Sequence, residues 1–207
     1  TVPNFALGYC TDDNARALVL MVLLEELGIE GPVPRRIGTT SLAFLNYALD
    51  PTSERFRNFL GFNRAWSAEM GSEDCHGRAL WALGTCVGRS RRQGLRTHAG
   101  QLFLRALGSV REFKSPRAWA FSLIGIHEYF RCFSGDRHVN QIREHLTERL
   151  ISLFERNASA DWPWFEPAVT YDNAKLAQAL FLSGCWANHA KAREIGLRTL
   201  EWLSAQQ

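Results

Sequence analysis

A helical signature that recurs along the chain constrains the fold more than any other feature. The segment Asp12–Leu18 aligns with Asp74–Leu80, and Asp172–Lys175 matches Asp13–Arg16 in residue type at each position. A weaker fourth copy starts at Pro116. The basic residues that align in the four copies are Arg16, Arg78, Arg117 and Lys175. Because each interval between copies holds one further helical segment, the repeat predicts four helical hairpins.

Helical periodicity dominates the chain, and no stretch alternates apolar and polar residues for long enough to form a sheet. Asp12 and Asp13 mark the start of the first helix, Gly28 marks its end, and Pro116 occupies a first-turn position. We therefore predict an all-α fold. The predicted helices cover residues 12–27, 40–49, 73–87, 93–110, 116–133, 137–156, 171–183 and 189–204, with one or two further turns in 53–60.

The predicted helices are of two kinds, which alternate along the chain. The first helix of each hairpin is apolar on nearly all sides, and the second has a charged face. A helix that is apolar on most sides is surrounded by protein. The alternation therefore predicts an α/α toroid whose inner helices line a central cavity, and an ordinary helical solenoid is the alternative.

Length and repeat count together predict an incomplete ring. Four hairpins occupy the 207 residues, so a closed ring of six would need roughly 310 residues. We expect residues 1–207 to form a single α/α toroid domain that is part of a larger domain or protein.

Charge and cysteine content exclude several classes of protein. Lys plus Arg is 24 and Asp plus Glu is 21, a net charge of +3 that is too small to indicate a nucleic-acid partner. The longest apolar run, Ala15–Leu24, contains Arg16 and is too short for a membrane span. The five cysteines are odd in number and include no C-x-x-C pair, which favours reduced thiols and a cytoplasmic location.

Carboxylates gather at the N-terminal ends of the apolar helices, which in a toroid meet on one rim of the cavity. Any single one of them is explained by helix capping. As a group they suit glycosidic chemistry, in which one acid protonates the leaving oxygen and a second carboxylate activates water or attacks the anomeric carbon. We expect the pair to join Asp12 or Asp13 to one of Glu73, Asp74 and Glu166. The candidate catalytic residues are Asp12, Asp13, Glu73, Asp74 and Glu166.

Aromatic and hydrogen-bonding side chains accompany these carboxylates. Rings pack against the apolar faces of sugars, and amides, carboxylates and guanidinium groups bind hydroxyls. Pro163 keeps the Trp162–Phe165 segment out of a helix, so these rings form a sugar platform or pack into the core. Trp81 and Trp119 lie within helices and are predicted to be core. The predicted substrate-binding residues are Tyr9, Asn14, Arg16, His76, Arg78, Trp162, Trp164, Phe165, Tyr171, Asp172 and Asn173.

A zinc site is the alternative for part of this set. Cys10, Cys75 and His76 together would give three ligands and an open position. These residues do not have a recognised local spacing, and we predict no metal and no cofactor.

Three long segments resemble one family. Gly8–Leu18, Gly71–Gly84 and Trp162–Glu166, the last followed by Thr170–Ala174, are similar to an all-α region of bacterial proteins labelled glycosyltransferase group 1. In that family a region of the six-hairpin glycosidase kind occurs alone or after a glycosyltransferase domain. The resemblance extends to near residue 180. It implies an α/α toroid, a glycan or oligosaccharide as ligand, and a glycosyltransferase domain as partner.

Two functions follow as expectations. One is an enzyme that acts on a glycan, most simply a glycoside hydrolase with a carboxylate pair. The other is a non-catalytic glycan-binding module that serves a glycosyltransferase, in which the aromatic residues matter and the carboxylates do not. The triplet Cys75-His76-Gly77 is also similar to that of lanthionine cyclases, which are zinc-dependent toroids, and this is a weaker alternative.

Overall fold

A computed structural model describes residues 8–29, 31–68 and 70–206. The predicted all-α class is confirmed, since the only strands in these ranges are the two-residue β1 (Tyr9–Cys10) and β2 (Phe59–Leu60), which pair antiparallel. The helices are α1 (Thr11–Glu26), α2 (Pro32–Ala48), α3 (Glu73–Arg89), α4 (Gln93–Leu107), α5 (Pro116–Phe133), α6 (Arg137–Asn157), α7 (Asn173–Trp186) and α8 (Ala190–Ala205).

Local chemistry fixes several helix ends. The Ser72 hydroxyl accepts a hydrogen bond from the Cys75 N–H at 3.2 Å, and Ser115 caps α5 in the same way through Ala118. After α1 the chain turns at Gly28, whose φ of 76° favours glycine.

The two predicted kinds of helix occupy two layers. Helices α1, α3, α5 and α7 pack side by side in that order, and each packs against the helix that follows it in the chain. The closest approach joins α3 to α5. A Cβ atom at Gly84 would overlap the carbonyl oxygen of Gly125, and one at Gly125 would lie 2.6 Å from the carbonyl oxygen of Leu80. Glycine at these positions therefore lets the two backbones touch.

The region after α1 differs from the prediction. Helix α2 starts at Pro32, eight residues before the predicted start, because two prolines in a first turn need no N–H partner. The extra turns predicted in 53–60 are wrong. Residues 54–60 are irregular or extended, and the Thr11 N–H donates to the Asn58 carbonyl at 2.9 Å. This segment forms hydrogen bonds with the residues at the start of α1 and does not extend α2.

Two further observations concern membrane-spanning helices and the cysteines. No helix within the described residues is long and apolar enough to cross a membrane. All five cysteines carry free thiols.

Candidate functional site

The N-terminal ends of α1, α3, α5 and α7, together with residues 158–172, form a surface that we call the rim. At its centre lies Arg78 of α3, which is buried. Its guanidinium forms an ion pair with Asp12 of α1 and donates to Asp172 Oδ2, just before α7, at 2.7 Å. Since both carboxylates bind one guanidinium, they lie within about 8 Å of each other. Arg78 thus links the first and the last helix of the row.

A second buried guanidinium holds the loop that leads into α7. Arg117 of α5 forms an ion pair with Glu166 at 2.8 Å and donates to the Tyr171 carbonyl at 2.7 Å. It also donates to Asn173 Oδ1 at 3.2 Å and to the Thr170 hydroxyl. The predicted site residues Glu166, Tyr171 and Asn173 are therefore brought together, and each has a structural partner.

The Asp12 carboxylate is partly buried and lies beside two cations. Burial raises the pKa of the Asp12 carboxyl, and the nearby guanidinium groups of Arg78 and Arg16 partly offset that rise. Asp12 therefore combines a desolvated carboxyl with two ion pairs.

Two of the predicted catalytic acids bind the start of α5. Glu73 accepts the backbone N–H groups of Lys114 and Ser115 at 2.7 and 2.6 Å, and Asp74 accepts the Ser115 hydroxyl. Both acids thus fasten the start of α5 to α3. Asp13 is 71% exposed, and its carboxylate lies 3.4 Å from the Arg16 guanidinium. The acid that lies near Asp12 is instead Asp172, because both carboxylates bind the Arg78 guanidinium. Asp172 is one of the predicted substrate-binding residues.

Three predicted substrate-binding residues lie in the core, which corrects those predictions. His76 is completely buried between Phe56 and Phe113, accepts the Phe56 N–H at Nδ1 (3.3 Å) and places Nε2 3.0 Å from the Ala106 carbonyl. Burial lowers its pKa to about 3. Trp164 and Phe165 have no exposed surface.

The Trp-rich loop is therefore divided between core and rim. Trp164 and Phe165 pack in the core, whereas Trp162 is half-buried and its indole N–H donates to the Glu166 carbonyl at 2.8 Å. The chain turns tightly here, since the Trp164 N–H donates to the Trp162 carbonyl at 2.8 Å. Trp202 of α8 lies close to both tryptophan rings, at 4.8 and 5.5 Å between centroids.

The remaining predicted binding residues lie along α1 and the strand before it. Asn14 donates to the Cys10 carbonyl at 2.9 Å, and Arg16 is exposed and pairs with Asp12. The Tyr9 ring packs against Phe62 at 5.0 Å on the β1–β2 ribbon.

Among the described residues, two depressions adjoin the rim. The first, which we call the α7 cleft, has a volume of about 510 Å³. Its lining residues are Trp162, Val169, Asp172, Asn173, Ala174, Lys175, Trp202, Leu203 and Gln206. The second, which we call the α1 groove, has a volume of about 250 Å³. Its lining residues are Arg16, Val19, Leu20, Leu23, Arg78 and Trp81.

Lys175 and Trp81 connect these depressions. The Lys175 Nζ lies 4.3 Å from the centroid of the Trp81 ring, and that ring stacks on Phe121 at 6.1 Å. Trp81 was predicted to be core, like Trp119, but it is half-buried and lines the α1 groove, whereas Trp119 is buried.

Sequence reasoning did not select Lys175, Trp202 or Gln206 for the site. Lys175 aligns with Arg78 in the repeat, so the repeat carried a signal for it. Trp202 and Gln206 reach the cleft from the end of α8, far along the chain from every motif.

The residues considered for zinc do not fit a zinc site. Both ring nitrogens of His76 already face backbone partners. Cys75 is buried, and burial raises the pKa of its thiol to about 12. Among the residues that the structure describes, no group of three His, Cys, Asp or Glu side chains is arranged to hold a metal ion.

Comparison of the chain with protein-family models, with curated proteins and with solved structures found no match.

Proposed function

We propose that this chain is a carbohydrate-active domain that binds a glycan in the α7 cleft. The observation that carries the proposal is the lining of that cleft, where the aromatic side chains of Trp162 and Trp202 adjoin Asp172, Lys175 and Gln206. A sugar presents an apolar face and a rim of hydroxyls, so its binding needs an aromatic surface beside hydrogen-bonding groups. The cleft volume of about 510 Å³ lies within the range of small-ligand sites.

The aromatic part of the cleft is held in place before any ligand arrives. The Trp162 indole N–H is bound to the Glu166 carbonyl, and its ring packs edge-on against Trp202, 4.8 Å between centroids. Glu166 is in turn held by Arg117. A ring that is already fixed loses little conformational entropy on binding, so more of the contact energy appears as affinity.

The proposal extends to the architecture. We infer that the two helical layers are consecutive hairpins of an α/α toroid of the six-hairpin glycosidase kind, with a glycosyltransferase domain as partner. The ordered packing of α1, α3, α5 and α7 supports the ring, as does the link that Arg78 makes between Asp12 and Asp172.

A hydrolytic function is the second candidate, and one observation favours it. Asp12, whose pKa burial raises, shares the Arg78 guanidinium with Asp172. Asp12 would donate a proton to the glycosidic oxygen, while Asp172 would activate water or attack the anomeric carbon. A separation within about 8 Å is compatible with either stereochemical outcome.

The binding proposal is tested first with a glycan array and then by titration of the best oligosaccharide. Replacing Trp162 by alanine removes the ring from the cleft, and we expect an affinity loss of about tenfold or more. Trp186→Ala is the matched control, because Trp186 is 40% exposed at the other end of α7. Equal affinity in the wild type and the Trp162 variant, with both folded, would contradict the proposal.

Hydrolysis is tested on the same oligosaccharide by measuring binding and turnover separately. Asp12→Asn should keep binding and lose turnover if Asp12 is the acid. Asp13→Asn is the control, since its exposed carboxylate has no place in that mechanism. A wild-type protein that binds the oligosaccharide and never cleaves it would assign the accessory function instead.

A further inference from the structure

Lys175 is a half-buried cation on the wall of the α7 cleft, and its ammonium contacts two neutral groups. The nearby charges of Asp172 and Arg78 act on it in opposite directions. The Lys175 Nζ donates to Gln178 Oε1 at 2.9 Å and lies 4.3 Å from the centroid of the Trp81 ring. Within residues 8–29, 31–68 and 70–206, no carboxylate oxygen lies within 4 Å of this nitrogen. Lys191, by contrast, forms an ion pair with Glu155 on the surface.

Two acids near the cleft are bound to arginines. Asp172 is held by Arg78 at 2.7 Å, and Glu166 by Arg117 at 2.8 Å. Asp12 shares the Arg78 guanidinium with Asp172, so three carboxylates and two guanidinium groups form these ion pairs. The Lys175 ammonium stands outside them, and a ligand anion could supply the close carboxylate, phosphate or sulfate partner that it lacks among the described residues.

Burial and helix geometry both favour an anion beside Lys175. Desolvation lowers the pKa of Lys175, so the ammonium has lost hydration that Gln178 and a ring do not replace in full. Lys175 also lies in the first turn of α7, whose N-cap residue Asp172 makes no side-chain capping hydrogen bond. The positive end of the helix dipole therefore adds to the charge of the lysine.

We propose that the glycan bound in the α7 cleft is acidic, and that Lys175 binds its carboxylate, phosphate or sulfate group. This inference rests on the proposed glycan-binding function. The sugar ring would pack against Trp162 while the anionic group reaches the Lys175 ammonium. An acidic group there would form the charge-assisted hydrogen bond that Lys175 lacks.

The test starts from an array of neutral, uronate-containing, phosphorylated and sulfated oligosaccharides. The tightest acidic ligand is then compared by titration calorimetry with its neutralised form, the methyl ester or the dephosphorylated or desulfated sugar. We expect the wild type to prefer the acidic form about tenfold, which corresponds to about 1.4 kcal/mol. Lys175→Met should abolish the preference, and Lys191→Met should keep it.

Alkaline pH provides a second readout. The affinity of the wild type for the acidic ligand should fall as the pH rises through the pKa of Lys175, which lies below its ordinary value. Lys175→Arg should retain binding at that pH, because a guanidinium stays protonated.

The outcomes separate the two proposals. Neutral and acidic forms that bind equally well to the wild type would overturn the acidic-ligand inference and leave glycan binding intact. A Lys175→Met variant that keeps the preference would also overturn it. If no glycan of any charge binds, the proposed function fails as well.

Discussion

The two ends of the helices α1, α3 and α5 use the same residue types for different purposes. At the C-terminal end, both oxygens of Glu128 bind Arg89, at 2.6 and 2.8 Å, and Arg89 also binds Glu26 at 2.8 Å. Glu25 accepts the Ser90 hydroxyl and the Arg92 guanidinium. At the rim, Arg78 and Arg117 form comparable ion pairs, yet Lys175 has no carboxylate partner within the described part of the chain.

The space beside each network differs as well. The cavity at the C-terminal end has a volume of about 210 Å³ and is lined in part by Glu25 and Arg92, which bind each other. The α7 cleft is more than twice as large and carries two tryptophans. Clusters of acids and arginines are therefore not enough to identify a site. A lysine with no carboxylate within 4 Å among the described residues, beside an open aromatic cleft, is the feature that separates the rim from the other end.

The largest expected effect is at the C-terminal end. Arg89→Met leaves the Glu128 carboxylate buried and poorly paired, so we expect a loss of about 3–5 kcal/mol in the free energy of unfolding. Urea denaturation measures this loss. The double variant Arg89→Met/Glu128→Gln should recover most of it, and a single variant within 1 kcal/mol of the wild type would contradict the assignment.

At the rim the equivalent change should have a smaller effect. Arg78→Met leaves Asp12 and Asp172, whose side chains are 22% and 33% exposed and can reach water. We expect a loss of about 1–3 kcal/mol by urea denaturation, together with loss of glycan binding. A loss as large as that of Arg89→Met would remove the contrast between the two ends.

Acid titration tests whether His76 belongs to the fold. The pKa of His76 is about 3 in the folded protein and 6.5 in the unfolded chain. Between these values the unfolded state binds a proton that the folded state excludes, so stability falls as the pH drops, by about 1.4 kcal/mol per pH unit. His76→Gln should flatten this part of the curve of unfolding free energy against pH. If the His76→Gln variant keeps the wild-type slope, the imidazole of His76 takes up a proton in the folded protein and is not enclosed in the core.

The smallest effect on stability is expected at Lys175. Lys175→Met removes a desolvated ammonium that has no carboxylate partner among the described residues, so the free energy of unfolding should stay within about 0.5 kcal/mol of the wild type. Affinity for an acidic glycan should nevertheless fall. A large destabilisation would mean that Lys175 holds the rim together as Arg78 does.

Helix positions followed from local signals, and they could be predicted. The repeat, the caps and Pro116 placed α1, α3, α5 and α6 close to their observed bounds. The start of α2 was missed because Pro32 and Pro34 indicate a loop as readily as a first turn. The pairing of Thr11 with Asn58 depends on a contact between distant parts of the chain, which no local pattern indicates.

The site was harder to predict, because burial decides which residues of a motif are accessible. Trp162 and Trp164 are two residues apart, yet one lines the cleft and the other has no exposed surface. That choice depends on Trp202, about 40 residues later in the chain. Similarly, His76 looks like a ligand beside Asp74, but Phe56 and Phe113 enclose it.

Filling the α7 cleft tests the central claim most directly. Ala174 is exposed and lines the cleft, so Ala174→Trp inserts a ring without removing an existing contact. Ala187→Trp, at an exposed position after the last turn of α7, is the control. Titration calorimetry with the oligosaccharide selected on the array should show that Ala174→Trp has lost binding while Ala187→Trp binds like the wild type. Wild-type affinity in a folded Ala174→Trp protein would contradict the assignment of the α7 cleft as the glycan site.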